Sequence, residues 1–224
     1  EIEGVNLSLN TALIDNETFY LADSNLGLLQ VNTQGNLPNL EFLSPNGPLL
    51  NRVFSLTAKA NEVWVTYGEY NELFNPFPLN TRGISHLVED NWSVFLPEEL
   101  DNARVLTHTS IDPNNPNRVY ISSYVDGLLI FENESLVTRL DQTNSGIEGI
   151  GTNLNDNRIG SSVFTPNGDL YFSNSIADNP IKRLTADGVV ESVNLSSVVS
   201  NPQSFSSGEI VSDAQGNLYL GTRP

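Results

Sequence analysis

The chain has 224 residues, enough to bury a sizeable core in one domain or two. Its formal net charge is −17 and its 10 Lys and Arg residues are scattered, which excludes the clustered basic surface that nucleic acids or anionic membranes require. Cysteine is absent, so disulfides and thiolate metal sites are excluded, and no apolar run is long enough to cross a bilayer as a helix.

Polarity comes mainly from Asn, Ser and Thr, which suit strands and turns better than helices. The chain opens on Glu1, with neither the charged n-region nor the apolar h-region of a signal peptide, and it contains no Met. The expectation is therefore an internal piece of a longer protein, with other domains of that parent chain as neighbours.

Taken in chain order, the apolar alternation predicts short strands in groups of four. "NLSLNTALI" from Asn6 is followed by a turn, then by "FYLA", "GLLQVNT" from Gly27 and "LEFLS" from Leu40. "RVFSLTA" from Arg52 leads to "VWVT", "GISHLVE" from Gly83 and "WSVFL". "RVLTHTSI" from Arg104 leads to "VYIS", "GLLIFEN" from Gly127 and "LVTRL". "IGSSVFT" from Ile159 leads to "LYFS", "PIKRLTA" from Pro180 and "VVESV". A fifth group has "GEIVSDA" and "LYLG" and then reaches Pro224. The turns between the first two runs are built from Asn, Asp, Gly or Pro, as hairpins require.

The second run of each group carries an aromatic, Tyr20, Trp64, Tyr120, Tyr171 and Tyr219, at a period of 44–56 residues. Four antiparallel strands at this period predict an all-β fold, a β-propeller built from four-stranded antiparallel blades. The expected blades are 6–50, 51–101, 102–156, 157–206 and a partial 207–224, in one propeller fragment of about four and a half blades spanning 1–224. The recurrent aromatics are expected to pack between blades, because one sheet cannot bury its own faces.

The sequence offers little catalytic chemistry. His86 and His108 each alternate with apolar neighbours and are assigned to strand packing or surface. No nucleophile elbow of the form G-x-S-x-G is present. Glu98–Glu99 and Glu89–Asp90 are sequence neighbours that would point to opposite faces of a strand, so they do not form a glycosidase pair. The Asn-rich turns "DPNNPN" (112–117) and "TNLNDN" (152–157) carry oxygen ligands suited to Ca²⁺, but neither has EF-hand spacing and both read first as turn formers. No catalytic residue, metal site or cofactor is expected.

One segment departs from the repeat. Trp64 and Gly83 are 19 positions apart, against seven for Tyr20–Gly27 and Tyr120–Gly127. The extra chain carries Tyr67, Tyr70, Phe74 and Phe77, stiffened by Pro76 and Pro78. Two readings stand open. These aromatics form a recognition loop for a protein or glycan, or they fold back over the blade as a lid.

"NGDLYFSNS", "QGNLYLGTR" and "DGLLIFEN" resemble the two-component-regulator propeller repeat. The second group, "VWVTYGEYNELFNPFPLNTRGISHLVEDNWSVF", and "FYLADSNLGLLQVN" near the start are similar to blades of PorZ-type proteins, surface components of the Bacteroidetes type IX secretion system. Pro180, where the repeat has Gly, and the weak run "NDNRIG" depart from that pattern. The resemblance implies a non-catalytic scaffold or recognition module, exported to the periplasm or outer-membrane surface, with a protein or glycan ligand there. Lipopolysaccharide recognition in that family is associated with a C-terminal domain to which none of these blades corresponds, so no site residue carries over. Two rival readings use the same repeat or fold: the glycan-sensing ectodomain of a hybrid two-component regulator, and a lactonase-like metal-dependent propeller hydrolase.

Overall fold

The alternating runs form strands because each is closed by a turn whose residues accept the backbone shape a tight hairpin needs. In the hairpin at 132–135, both central residues, Asn133 and Glu134, adopt positive φ (49° and 59°), the mirror-image turn that matches strand twist. The computed structural model describes residues 6–24, 27–32, 39–43, 46–151 and 155–223.

The strands assemble in chain order into separate antiparallel sheets. The first holds β1 (Leu9–Asp15), β2 (Thr18–Asp23), β3 (Gly27–Asn32) and β4 (Asn39–Leu43). The second holds β5 (Ser55–Lys59), β6 (Glu62–Thr66), β7 (Ile84–Val88) and β8 (Asn91–Phe95). The third holds β9 (Leu106–Ile111), β10 (Arg118–Ser123), β11 (Gly127–Glu132) and β12 (Ser135–Leu140). The fourth holds β13 (Ile159–Phe164), β14 (Leu170–Asn174), β15 (Ile181–Leu184) and β16 (Val190–Ser192). A two-stranded sheet of β17 (Ser206–Ser212) and β18 (Leu218–Arg223) follows. These are propeller blades, four complete and one represented by two strands.

The chain divides into two compact units, Glu1–Gly47 and Pro48–Pro224. In the first, Leu21, Leu29 and Val31 form the core, with Phe19 and Leu40 packed against them. In the second, the innermost strands β5, β9, β13 and β17 lie side by side. Period-two alternation divides each blade between its neighbours. Val119, Ile121, Leu129 and Phe131 of the third blade pack on Trp64, Ile84 and Phe95 of the second. Tyr120, Leu128 and Ile130 face the other way, onto Ile159, Leu170 and Phe172 of the fourth.

The aromatic row meets this pattern in the middle of the chain and not at its end. Trp64 is buried, stacked on His86 with centroids 3.8 Å apart and edge-on to Phe131. His86 is held in the strand as a packing residue, its Nε2 lying 3.0 Å from Glu62 Oε2. Tyr219, by contrast, is 57% exposed and its hydroxyl donates to Asp213 Oδ2.

Polar side chains hold neighbouring blades together. The Thr57 hydroxyl donates to the Thr109 carbonyl (2.7 Å), Ser110 to Ser162 (2.7 Å) and Ser173 to Gly208 (2.6 Å). Each bond satisfies a main-chain acceptor that the blade's own ladder leaves free. The fourth blade also buries Lys182 completely, paired with Glu148 and with the Ser192 hydroxyl.

Candidate functional site

The long insertion between β6 and β7 leaves its own blade at once and crosses onto the neighbouring inner strands. Tyr67 is fully buried, its hydroxyl 2.7 Å from Ser85 Oγ on β7. Gly68 then donates its N–H to the Leu106 carbonyl at the head of β9 (2.8 Å). A Cβ at position 68 would stand 2.3 Å from that oxygen, so only glycine permits the crossing.

Beyond Gly68 the loop is folded by its own asparagines. Asn71 Oδ1 accepts the N–H groups of Leu73 (2.9 Å) and Asn75 (3.0 Å), and Asn75 Oδ1 accepts that of Phe77 (3.0 Å). These Asx turns are the structural content of the Asn- and Pro-rich composition. The return strand is pinned by the Val105 N–H donating to the Asn80 carbonyl (2.8 Å).

The four residues singled out in the sequence therefore have different fates. Tyr70 lies half-buried against Phe54 (5.0 Å between centroids), Phe74 (5.2 Å) and Tyr124 (4.6 Å). Phe74 packs with Tyr70 on the cluster of Val105, Tyr124 and Val125. Both rings also rest on Gly208 of β17, where a Cβ would meet Phe74 Cε1 at 2.4 Å and the Tyr70 hydroxyl at 2.8 Å. Arg223 of β18 reaches the same loop, donating to the Glu72 carbonyl (2.8 Å). Tyr67, Tyr70 and Phe74 thus anchor a loop that leaves the second blade, touches the fifth and returns to β7. Phe77 stands apart, 66% exposed, and Leu73 in the same loop is 50% exposed.

Beneath Tyr70 lies a cavity of about 350 Å³ on the inner-strand side. Its walls are Phe54, Ser55 and Leu56 beside and on β5, Thr107 and His108 on β9, Gly160 and Ser161 on β13, and Glu209 on β17. Gly160 and Gly208 bring β13 and β17 together, for a Cβ at Gly160 would lie 2.3 Å from the Gly208 carbonyl oxygen. His108 Nδ1 is buried with no hydrogen-bond partner among the described residues. Burial pushes the His108 imidazole down to about 4, so it is neutral at physiological pH. Burial, then the neighbouring Tyr124 and Glu209, push the Tyr70 phenol up to about 12.

His108, assigned to strand packing or surface, stands on β9 and lines this cavity. A polar residue in the first strand of a blade, where the strand lines the axis, was the available signal. The "DPNNPN" turn is organised by Asp112, whose Oδ1 accepts the N–H groups of Asn114 (2.8 Å) and Asn115 (3.3 Å). Residues 152–154 of the "TNLNDN" turn lie outside the described residues.

No protein-family model matches the chain, and no curated protein matches it. Solved structures do. PorZ, the surface component of the type IX secretion system of Porphyromonas gingivalis, is similar at 13% identity and a TM-score of 0.72, over 92% of this chain and 28% of PorZ. Virginiamycin B lyase from Staphylococcus aureus is similar at 12% identity and 0.52, over 98% of this chain and 64% of the lyase. The extracellular domain of BT4673 from B. thetaiotaomicron, named as a hybrid two component system, is similar at 16% identity and 0.51, over 98% of this chain and 26% of that domain. This chain thus spans about a quarter of PorZ and of BT4673. A surface component, an enzyme and a regulator ectodomain share the architecture, so the likeness establishes the fold, a β-propeller, and leaves function to the site.

Proposed function

We propose that the chain is a non-catalytic recognition module of an exported surface protein, similar in role to PorZ. It binds a protein or glycan ligand through the loop at residues 67–82. Phe77 and Leu73 make the contact, and Tyr67, Tyr70 and Phe74 hold the loop in place. The observation that carries this reading is an exposed apolar tip on a loop fixed by its own Asx turns and by anchors on three blades. A loop already ordered loses little conformational entropy on binding, so a small apolar contact suffices for affinity.

The test compares saturable binding of the protein and of the double variant Leu73→Ser/Phe77→Ser to outer-membrane vesicles from a Bacteroidetes host. Both replaced side chains are exposed, so circular dichroism should be unchanged. Binding that falls at least roughly tenfold, a loss of about 1.4 kcal/mol, supports the proposal. Binding that is unchanged in the variant, or undetectable in the parent, refutes it.

A further inference from the structure

We infer that the cavity beneath Tyr70 binds a primary ammonium group, carried by a free amine or by the end of a lysine side chain. This site is distinct from the apolar loop tip and does not depend on what Phe77 touches.

The lining chooses the charge. No Lys or Arg lines the cavity, and its one acidic side chain is Glu209, which is exposed to solvent. That carboxylate has no cationic partner among the described residues. An anion would therefore meet repulsion with no cation in the lining to offset it, whereas a cation would pair with the exposed Glu209. A hard divalent ion needs six to eight oxygen ligands, roughly, and one carboxylate cannot supply them. Among the described residues no group of three or more His and carboxylate side chains gathers to help. An ammonium needs only a few acceptors, and the lining offers them: Glu209, the neutral imidazole of His108, and the hydroxyls of Tyr70 and Ser55. Phe54 and Tyr70, edge to face at the roof, add aromatic surface of the kind that attracts cations. The volume of about 350 Å³ accommodates a short alkyl chain behind the charged head.

The two histidines make the test specific, since each ring gives its own resonances. The protein is titrated at neutral pH with pentylammonium, with Nα-acetyl-lysine methylamide, and with pentanol as the uncharged probe, while the His108 and His86 ring signals are followed by NMR. The inference expects a saturable shift at His108 with an ammonium probe, none at His86, and none with pentanol. The tighter of the two ammonium probes identifies the source of the group. Glu209→Gln should weaken binding by roughly twofold to fivefold, the scale of an ion pair with an exposed carboxylate. Equal shifts with pentanol, no saturable shift with either ammonium, or unchanged affinity in Glu209→Gln would overturn it. The pentanol comparison needs no variant, so a failure of Glu209→Gln to fold leaves the test intact.

Discussion

The Thr107 hydroxyl of β9 donates to the Gly160 carbonyl of β13 at 2.9 Å, with both residues buried. The two groups belong to the innermost strands of consecutive blades. No ladder joins these strands, because an inner strand spends one edge on its own sheet and turns the other toward the axis. A side-chain hydroxyl from the neighbouring blade takes up the acceptor left over. Thr57 and Ser110 repeat the device between inner strands, and Ser173 of β14 makes the corresponding bond from a second strand to β17. The high Ser and Thr content thus joins blades as well as forming turns.

Thr107→Val removes the donor and keeps the shape. It should cost about 1–3 kcal/mol, because the Gly160 carbonyl stays buried without its partner. Thr107→Ser should recover most of the loss. Urea unfolding with an unchanged m value measures both. A Val variant as stable as the parent would show that the hydroxyl contributes nothing to holding the blades.

Gly208 is where the loop from the second blade meets the fifth. Gly208→Ala should cost about 1–3 kcal/mol by overpacking against Phe74 and Tyr70. Phe74→Ala in the same molecule should relieve part of that cost, since residues in contact do not add. Strictly additive losses would mean that Phe74 does not rest on Gly208 in solution.

Much of the fold was legible because strand alternation and turn residues are local signals. "RVYIS" shows its two faces directly, and the structure divides them between two neighbouring blades. The inserted loop was legible as an insertion through its length and its aromatics. Its destination was not, because that is set by Gly68 and Gly208, glycines with negative or extended backbone that look ordinary in sequence. Their requirement comes from close approach of chain segments far apart in sequence. The hydroxyl staples were hidden for a similar reason: a Ser or Thr in a strand carries no mark of whether it faces a neighbouring blade or water.

His108 gives the protein a pH dependence of known sign. Its pKa is about 4 in the folded protein, below the ordinary 6.5, so between these values the unfolded chain binds more protons. Stability is therefore complete above about pH 6.5 and falls as pH drops toward 4, by about 3 kcal/mol at most. His108→Asn should flatten that part of the profile. A variant with the parent's slope would place the titrating group elsewhere.

Glu148 accounts for a separate acid limb. Burial raises its pKa, but the hydrogen bonds from Lys182 and Asn179 outweigh burial and hold it below the ordinary 4.5. Its contribution is present above about pH 4.5 and is lost as pH falls through the depressed value. Glu148→Gln leaves the fully buried Lys182 ammonium without its counter-ion and should cost about 3 kcal/mol at neutral pH. Lys182→Met in the same chain should recover part of that loss. Denaturant midpoints at neutral pH test both, and a cost within about 0.5 kcal/mol of zero for Glu148→Gln would contradict the assignment.

The proposed recognition role requires a loop that is ordered in the free protein. Native-state hydrogen exchange at the amides of Gly68, Leu73, Phe74, Asn75 and Phe77, in the free protein, tests it most directly. Each of these N–H groups donates to a named acceptor, Leu106 O, Asn71 Oδ1, Asn71 O, Asn71 Oδ1 and Asn75 Oδ1 in turn. Slowed exchange is expected at all five with no ligand present, with Gly68 as protected as the amides of β9. Exchange at the rates of an unstructured peptide through 71–77 would show that the loop folds only on contact, and would contradict it.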